Sequence, residues 1–491
     1  MKLHNRGVRQ DVRELGALLG DVLKEQTSAE SFETVEELRQ TAIAYREGDI
    51  DSREELRSTF EQLSPSEEGD VARAFATYFE LINLAEERER VRAVRKGSQE
   101  GTLDDSLEDT VEALSAAGAD TETVRQVLDD VLIEPTFTAH PTEARRGTVK
   151  AKLRSIAGHL ETLDSQRLTD REAEDVWQDI DAEVTSLWQT RQVRQRPPEP
   201  QDEARNVQWY LENTLFDVVG EVYSEFEEIV TDEYPDIDLP KLFEFRSWAG
   251  SDRDGNPYVT VDVTDETLRT QRNIVLERYR TKLKRLSAVL SQDGDRYPTT
   301  GAFQASLEAD LEQFPAITEE AEERYPDEPY RQKLRLMRER LNRVGDVRPG
   351  GYENDDQLLE DLETIDASLR AYGGGDIAEA FVEPLLRQVS TFGFSLASLD
   401  LRDHRIQHTK AIDEVLAEEG IEYRELDEEG RVELLTDAIL QDEPIIDPEN
   451  PGDVSEVAEK VMTRFAKLGD WQEEFGVEAI DTYCISMTEE P

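Results

Sequence analysis

Apolar residues recur at spacings of three and four along much of the chain, with charged residues between them. One such stripe covers residues 12–23, and similar stripes run over 74–94 and 268–290. This period is that of one face of an α-helix, so the pattern predicts amphipathic helices in all three places. The polar stretch 97–109 predicts a loop, and the Pro-rich run 196–200 separates two further helices.

Four short runs with the composition of β-strands interrupt the helices. Three of them lead into polar or Gly-rich turns, and the runs that start at 136 and 394 are followed by amphipathic helices. In a β/α unit, residues just past the carboxyl end of the strand line the active site. We therefore expect a mainly α protein with a partial parallel β/α barrel. The four runs are 136–139, 242–248, 394–401 and 483–487.

The composition indicates a folded, strongly acidic protein. The chain has 491 residues, enough for several domains or one large layered architecture. Its 112 acidic residues exceed 56 basic ones, and only 12 of the basic residues are Lys, which gives a net charge of −56. Such an excess, spread along the whole chain, indicates salt adaptation, with an acidic partner-binding surface as the alternative. It also disfavours binding to nucleic acid.

Cysteine usage and hydropathy indicate a cytoplasmic protein. Cys484 is the single cysteine, so neither an intrachain disulfide nor a Cys-based zinc site is expected. Residues 1–10 lack the apolar region of a signal peptide, and no stretch of about 18 apolar residues occurs. We therefore expect neither export nor a membrane span.

The segment 137–149 contains the first candidate for chemistry. His140 follows a predicted strand, and Pro141 suits the first position of a helix. Free N–H groups at a helix start, with Arg145 and Arg146 one turn on, would hold a phosphate or carboxylate while His140 moves a proton. A histidine that only caps a helix is the alternative, and the spacing leaves it open.

The segment 245–258 is the second candidate. Asp252-x-Asp254 begins like an EF-hand calcium loop, but the glycine required at the sixth place is missing and Val263 stands where a glutamate is needed at the twelfth. Calcium is therefore rejected. A functional loop and a hydrogen-bonded Asx turn both remain open.

The segment 398–409 is the third candidate. Arg402 follows a predicted strand, and His404 and His408 lie four apart on a predicted helix. Zinc enzymes with this histidine spacing need Glu directly after the first histidine, whereas Arg405 stands there. Arg402 suits an anionic substrate held by paired hydrogen bonds, and an Arg–Asp salt bridge at the strand end is the alternative.

These three segments, in this order, resemble the phosphoenolpyruvate carboxylase family. Residues 138–143 resemble its catalytic-histidine motif and 247–257 its Gly-Asp-Arg-Asp-Gly-Asn-Pro loop, while 399–402 with His408 resemble its arginine segment. Weaker similarity runs through the rest of the chain. The departures from the family pattern are Gly147, Ala249, Ser251 and the run 403–406.

The resemblance implies a domain organisation. Family chains are about twice as long, so residues 1–491 are expected to be the amino-terminal half, with the carboxyl-terminal half absent. A helical region is expected over 1–130. The first strands of a TIM-barrel-derived β/α barrel, with helical insertions, are expected over 131–491.

The resemblance also implies a reaction. The complete enzyme would convert phosphoenolpyruvate and bicarbonate to oxaloacetate and phosphate, using Mg²⁺ or Mn²⁺, as a cytoplasmic homotetramer. His140 would take a proton from carboxyphosphate, and Arg402 would hold the phosphorylated substrate. The chain alone is expected to be inactive, and a non-catalytic acidic binding or regulatory protein is the rival interpretation. The further substrate-binding residues implied are Arg146, Trp248, Arg253 and Asp254, with no metal ligand in this half.

The acidic excess predicts that salt stabilises the fold. The Debye length falls from about 10 Å at 0.1 M salt to about 3 Å at 1 M, so repulsion among the 112 acidic residues should weaken over that range. Thermal melts in increasing KCl should show a rising midpoint. A sucrose series of equal osmolality, which does not screen charge, is the control. A flat or falling midpoint in KCl would contradict salt adaptation.

Overall fold

The structure is a computed structural model of the chain. It falls into two compact units, one formed by 1–106 with 142–197 and the other by 107–141 with 198–491. The division at residue 130 that the family resemblance implies stays a prediction. The residues that the structure describes are 6–50, 53–103, 106–138, 147–164, 167–192, 199–254, 256, 258–441 and 445–488.

Helices form most of the described chain, which confirms the mainly α expectation. In chain order they are α1 (Val8–Gln26), α2 (Ala29–Glu47), α3 (Glu54–Glu61), α4 (Pro65–Glu100), α5 (Leu107–Ala116), α6 (Thr121–Asp129), α7 (Gly147–Asp164), α8 (Asp170–Gln189), α9 (Pro200–Tyr210), α10 (Phe216–Glu233), α11 (Val261–Val289), α12 (Gly301–Gln313), α13 (Pro315–Arg324), α14 (Pro329–Asn342), α15 (Asp355–Ala371), α16 (Gly375–Ile377), α17 (Glu383–Phe392), α18 (Arg405–Glu418), α19 (Glu428–Leu440) and α20 (Glu456–Phe475). Within the described ranges, none has the length and hydropathy that a membrane crossing requires.

The stripe predicted at 12–23 lies in α1 and faces the core of the first unit. Leu15 and Leu19 are buried there together with Leu81 of α4 and with apolar residues of α7 and α8. The predicted loop over 97–109 is wrong at both ends, because α4 continues to Glu100 and α5 begins at Leu107. Gly101 ends α4 with a φ of +61°, a left-handed conformation that glycine adopts without strain.

Aromatic side chains form the centre of the second unit. The helix predicted over 268–290 is α11, and its Tyr279 is fully buried. Phe216 of α10 stacks on Phe392 of α17 with ring centroids 5.2 Å apart, and Phe392 stacks in turn on Phe245 at 5.2 Å. Phe245 directly precedes β2, so this core holds the chain where that strand begins.

The strands form one parallel sheet in the order of the chain. They are β1 (Thr136–Phe137), β2 (Arg246–Ser247), β3 (Ser398–His404) and β4 (Thr482–Ser486). All four predicted runs contribute a strand, and Arg246 pairs with Ser398 while Arg402 pairs with Cys484. In the run predicted at 242–248, β2 covers two residues, and Phe243 adds an isolated bridge to Ile133. The parallel arrangement and the strand order are those expected of successive β/α units.

The carboxyl end of β3 corrects two predictions. β4 extends the pairing as far as His404, so Arg402 lies inside the strand and not after it. His404 has extended backbone angles and caps α18, because its Nδ1 accepts a hydrogen bond of 3.2 Å from the N–H of Ile406. His404 and His408 therefore do not share a helix face.

The two faces of β3 differ in chemistry. Leu399 and Leu401 are fully buried in a cluster with Trp471 of α20 and with α11. Asp400 and Arg402 alternate with them, and successive residues of a strand point to opposite faces. The sheet therefore has one apolar face, covered by helices, and one charged face.

Arg387 of α17 lies between two glutamates, Glu227 of α10 and Glu383 of α17. Arg387 Nη2 lies 3.7 Å from Glu227 Oε2 and 3.5 Å from Glu383 Oε1. Burial of Glu227, together with its neighbour Glu383, raises the pKa of Glu227 to about 7. In the unfolded chain the pKa of Glu227 is about 4.3. Between about pH 4.3 and pH 7 the folded state therefore holds a proton that the unfolded state has lost, and the fold loses stability as the pH rises through this range.

We expect Glu227→Gln to reduce this loss of stability. Thermal midpoints measured at pH 5, 6, 7 and 8 should fall less steeply in the variant than in the wild type, because the variant has no carboxylate to charge. Glu228→Gln is the matched control, since Glu228 is exposed and lies one residue away. Parallel curves for all three proteins would show that Glu227 keeps an ordinary pKa.

Candidate active site at the carboxyl end of the sheet

The chain turns sharply where it leaves β2. Gly250 has a φ of +90°, and a Cβ at this position would lie 2.3 Å from Thr267 Oγ1, so only glycine fits. The N–H groups of Ser251 and Asp252 donate to the carbonyl oxygen of Trp248 at 3.1 and 3.0 Å. This turn folds the loop back against β3.

The loop and β3 bring Trp248, Asp252 and Arg402 together. The Arg402 guanidinium lies 3.8 Å from the centre of the Trp248 ring, a cation–π contact. Its Nη1 donates to Asp252 Oδ2 at 3.0 Å, so the salt bridge considered as the alternative is present. In the part of the chain that the structure describes, no other protein acceptor bonds this guanidinium, and 21% of the side chain is exposed. Within those residues, its other N–H donors have no protein acceptor.

Asp252 also orders the loop itself. Its Oδ1 accepts a hydrogen bond of 2.9 Å from the N–H of Asp254, so the Asx turn is present as well. The N–H of Arg253 donates to the carbonyl oxygen of Arg402 at 2.9 Å, which ties the loop to β3. Burial raises the pKa of Asp252, partly offset by the Asp254 N–H and by Arg402.

Arg253 points the opposite way from Arg402. Its guanidinium donates to the carbonyl oxygens of Ser251 and Thr260 at 3.0 and 3.3 Å, and to Thr264 Oγ1 at 2.7 Å. Burial lowers its pKa to about 10, with Arg464 adding to the effect, so Arg253 stays charged at neutral pH. These bonds hold the loop to the start of α11. The substrate contacts expected of Arg253 and Asp254 stay predictions.

Trp248 is itself held by a buried carboxylate. Its Nε1 donates to Asp400 Oδ2 at 2.9 Å, and Arg246 Nε donates to Asp400 Oδ1 at 2.8 Å. Arg246 also donates to Thr482 Oγ1 at 2.7 Å and pairs with Asp481. Hydrogen bonding to Asp481 and Asp400 raises the pKa of Arg246 above its ordinary value, although burial opposes the rise. The charged face thus carries a continuous chain of contacts from Arg246 to Arg402.

The comparison with known families decides what this arrangement is related to. Residues 8–491 match the model of the family described as phosphoenolpyruvate carboxylase. The chain belongs to the phosphoenolpyruvate carboxylase family. This confirms the resemblance that the three motifs indicate.

Curated relatives agree with the family match. Proteins named phosphoenolpyruvate carboxylase from Roseiflexus castenholzii, Paraburkholderia xenovorans and Xanthomonas euvesicatoria are each 34% identical to this chain. The matches cover 97%, 98% and 98% of this chain, but 53%, 50% and 53% of those proteins. The chain therefore spans about half the length of the curated relatives it matches.

The histidine motif lies outside the described residues. His140, Arg145 and Arg146 all fall in the range 139–146, about which the structure makes no statement. β1 ends at Phe137, three residues before His140, and pairs with β2 in parallel. The proton-transfer role that the resemblance implies for His140 therefore stays a prediction.

A second network behind the sheet was not foreseen from the sequence. Arg464 of α20 pairs with the Asp403 carboxylate and donates to the Tyr483 hydroxyl at 2.7 Å. The same hydroxyl lies 3.2 Å from His408 Nε2, and burial lowers the pKa of His408 and raises that of Tyr483. The sequence signal was a single charged residue among the apolar positions of α20. His408 thus serves this network in the described structure.

The described residues do not form a site for the Mg²⁺ or Mn²⁺ that the family resemblance implies. No group of three or more His, Cys, Asp or Glu side chains within them could hold a metal ion. The carboxylates nearest to Arg402 already have cationic partners, Asp252 with Arg402 itself and Asp400 with Arg246. A carboxylate held by arginine is a poor ligand for a second cation.

Proposed function

We propose that this chain forms the amino-terminal half of a phosphoenolpyruvate carboxylase, which converts phosphoenolpyruvate and bicarbonate to oxaloacetate and phosphate. The observation that carries the proposal is the partly unbonded guanidinium of Arg402, stacked on Trp248 at the carboxyl end of a parallel sheet. In a protein of net charge −56, an open cation at such a position indicates an anionic ligand.

Arg402 is proposed to bind the phosphoryl group of the substrate. A guanidinium presents its N–H donors in one plane and matches phosphate oxygens in pairs. The Trp248 ring covers one face of that plane and Asp252 occupies one edge. Within the described residues the other N–H donors have no protein acceptor, and we propose that they bind the phosphoryl oxygens.

His140 is proposed as the base that takes the carboxyphosphate proton. The parallel pairing of β1 with β2 supports this role, because the carboxyl ends of parallel strands meet at one edge of a sheet and His140 follows β1 by three residues. Proton transfer by a positioned imidazole is worth about 10² to 10⁴ in rate. Arg146, Trp248, Arg253 and Asp254 complete the proposed substrate-binding residues.

We also propose that the sheet is part of a β/α barrel. Parallel sheets are covered on both faces, and the face with Arg246, Asp400 and Arg402 is too charged to be packed under an apolar helix layer. Closure into a barrel would place this face in the interior, where active sites of such folds open at the carboxyl ends of the strands. Further strands, a divalent metal site and the contacts of a homotetramer would come from residues outside this chain, and the protein would work in the cytoplasm.

Arg402→Gln should abolish anion binding at this face. Cys484 pairs with Arg402 across the parallel strands, so its thiol lies on the same face, and it is the single cysteine of the chain. Alkylation of Cys484 by a maleimide should be slowed by phosphoenolpyruvate in the wild type and unaffected in the variant. Arg405→Gln, three residues further along the chain, is the control that should keep the protection. Equal protection in Arg402→Gln would contradict the assignment.

The chain alone should not produce oxaloacetate, and a second chain matching the remaining half of the relatives should restore activity. Oxaloacetate formation is followed by coupled NADH oxidation with each half and with the mixture, in the presence of Mg²⁺. Activity of this chain by itself would refute the proposed division of the active site. Inactivity of a mixture in which the halves associate would favour the rival, a non-catalytic acidic binding or regulatory protein.

His140→Asn should lower the turnover rate of that mixture by a factor of about 10² to 10⁴. Phosphoenolpyruvate should still protect Cys484 from alkylation, because the imidazole acts on an intermediate and not on the bound substrate. Asn keeps a hydrogen-bonding side chain of similar reach but cannot take the proton. Normal turnover with only a raised KM would show that His140 binds substrate and is not the base.

A further inference from the structure

A buried carboxylate connects the two arginines of the charged face. We propose that Asp400 is a positioning residue, which anchors the Trp248 indole so that its ring holds the Arg402 guanidinium in place to receive the anionic substrate. The inference rests on the proposed function of Arg402 and assigns a role to Asp400, a residue of the third motif to which the sequence analysis gave none.

Asp400 is suited to this role because its own position is fixed. It lies in the middle of β3 and is 6% exposed. Its Oδ1 accepts from Arg246 and its Oδ2 from Trp248, so each oxygen has one strong donor. Its carbonyl oxygen accepts from Ser251 Oγ at 2.8 Å, which holds the loop carrying Trp248 to the same residue.

The indole needs such an anchor. Trp248 lies just past the two-residue strand β2, and the outer torsion of an aromatic side chain has a broad energy minimum. The hydrogen bond at Nε1 fixes that torsion, and the ring then lies 3.8 Å from the guanidinium carbon of Arg402. Without the bond the ring is free to turn, and Arg402 keeps Asp252 as its single protein partner in the described chain.

The strand provides a matched control three residues away. Asp403 is 4% exposed and also accepts from an arginine, but its partner is Arg464, on the opposite face of the sheet. Replacing either aspartate by asparagine removes one buried charge from β3. A purely structural role for Asp400 therefore predicts the same consequences for both variants.

The first measurement tests the hydrogen bond between Trp248 and Asp400 in the absence of ligand. The chain contains five tryptophans, so the indole N–H region of a ¹H–¹⁵N spectrum of the 491-residue protein has five signals, and Trp248→Phe identifies one of them. Asp400→Asn should shift that signal and accelerate its exchange with solvent, while Asp403→Asn should leave it in place. An unchanged signal in Asp400→Asn would overturn the proposal.

The second measurement tests whether losing this hydrogen bond weakens the binding of phosphoenolpyruvate. The affinity for phosphoenolpyruvate, measured by calorimetry, should fall about three- to tenfold in Asp400→Asn, the effect of losing one orienting hydrogen bond. It should change less than twofold in Asp403→Asn. Phe at position 248 has no N–H to anchor, so Asp400→Asn should weaken binding no further in the Trp248→Phe background.

Comparing the variants distinguishes an error in the role of Asp400 from an error in the proposed function of Arg402. If Arg402→Gln binds phosphoenolpyruvate as well as the wild type, or if the wild type does not bind it, the role of Arg402 is wrong, and the indole signal alone decides whether Asp400 anchors Trp248. Only the role of Asp400 is wrong in two cases in which Arg402→Gln loses binding. In the first, Asp400→Asn and Asp403→Asn have the same indole signal and the same affinity for phosphoenolpyruvate. In the second, the losses of binding free energy in Asp400→Asn and Trp248→Phe add in the double variant.

Discussion

The parallel register between β2 and β3 is the constraint on which the candidate site depends. Arg246 pairs with Ser398, and the pairing continues past the end of β2 as a bridge between Asp252 and Arg402. Side chains alternate between the faces of a strand, so a slip of one residue would move Arg402 into the apolar cluster and bring Leu401 onto the charged face. The buried leucines of β3 exclude that slip. Burial on the apolar face therefore fixes the positions of the side chains on the charged face.

Charge balance on this face follows from the same geometry. Asp400 compensates Arg246, and Asp252 compensates Arg402, so the face carries cations in a strongly acidic protein without leaving them bare. The two arginines differ in their acceptors: within the described residues the Arg246 guanidinium bonds Asp400, Glu244, Asp481 and Thr482, whereas Arg402 bonds Asp252 alone. This difference is why we propose Arg402, and not Arg246, as the cation that binds the anion.

Local sequence patterns predicted the parts of the fold that depend on local spacing. The helical stripes became α1, α4 and α11, and the four strand-like runs joined in one sheet. The errors arose where a distant partner decides the outcome. Pairing with β4, some 80 residues further on, extends β3 through His404. Arg464 joins Asp403, 61 residues before it, to Tyr483, 19 residues after it, and no short motif contains all three.

Arg253 and Arg402 show most clearly what the sequence could not decide. Both belong to motifs that resemble the same family, Arg402 lies inside β3 and Arg253 in the loop that follows β2, and their backbones are hydrogen-bonded to each other. Arg253 turns towards α11, where neutral carbonyl and hydroxyl oxygens take up its donors, and so it holds the loop. Arg402 faces the other side of the sheet, where the described residues give it an aromatic ring and one carboxylate as partners. The two arginines differ in which acceptors surround each one, and those acceptors are set by the strand register and by the turn at Gly250.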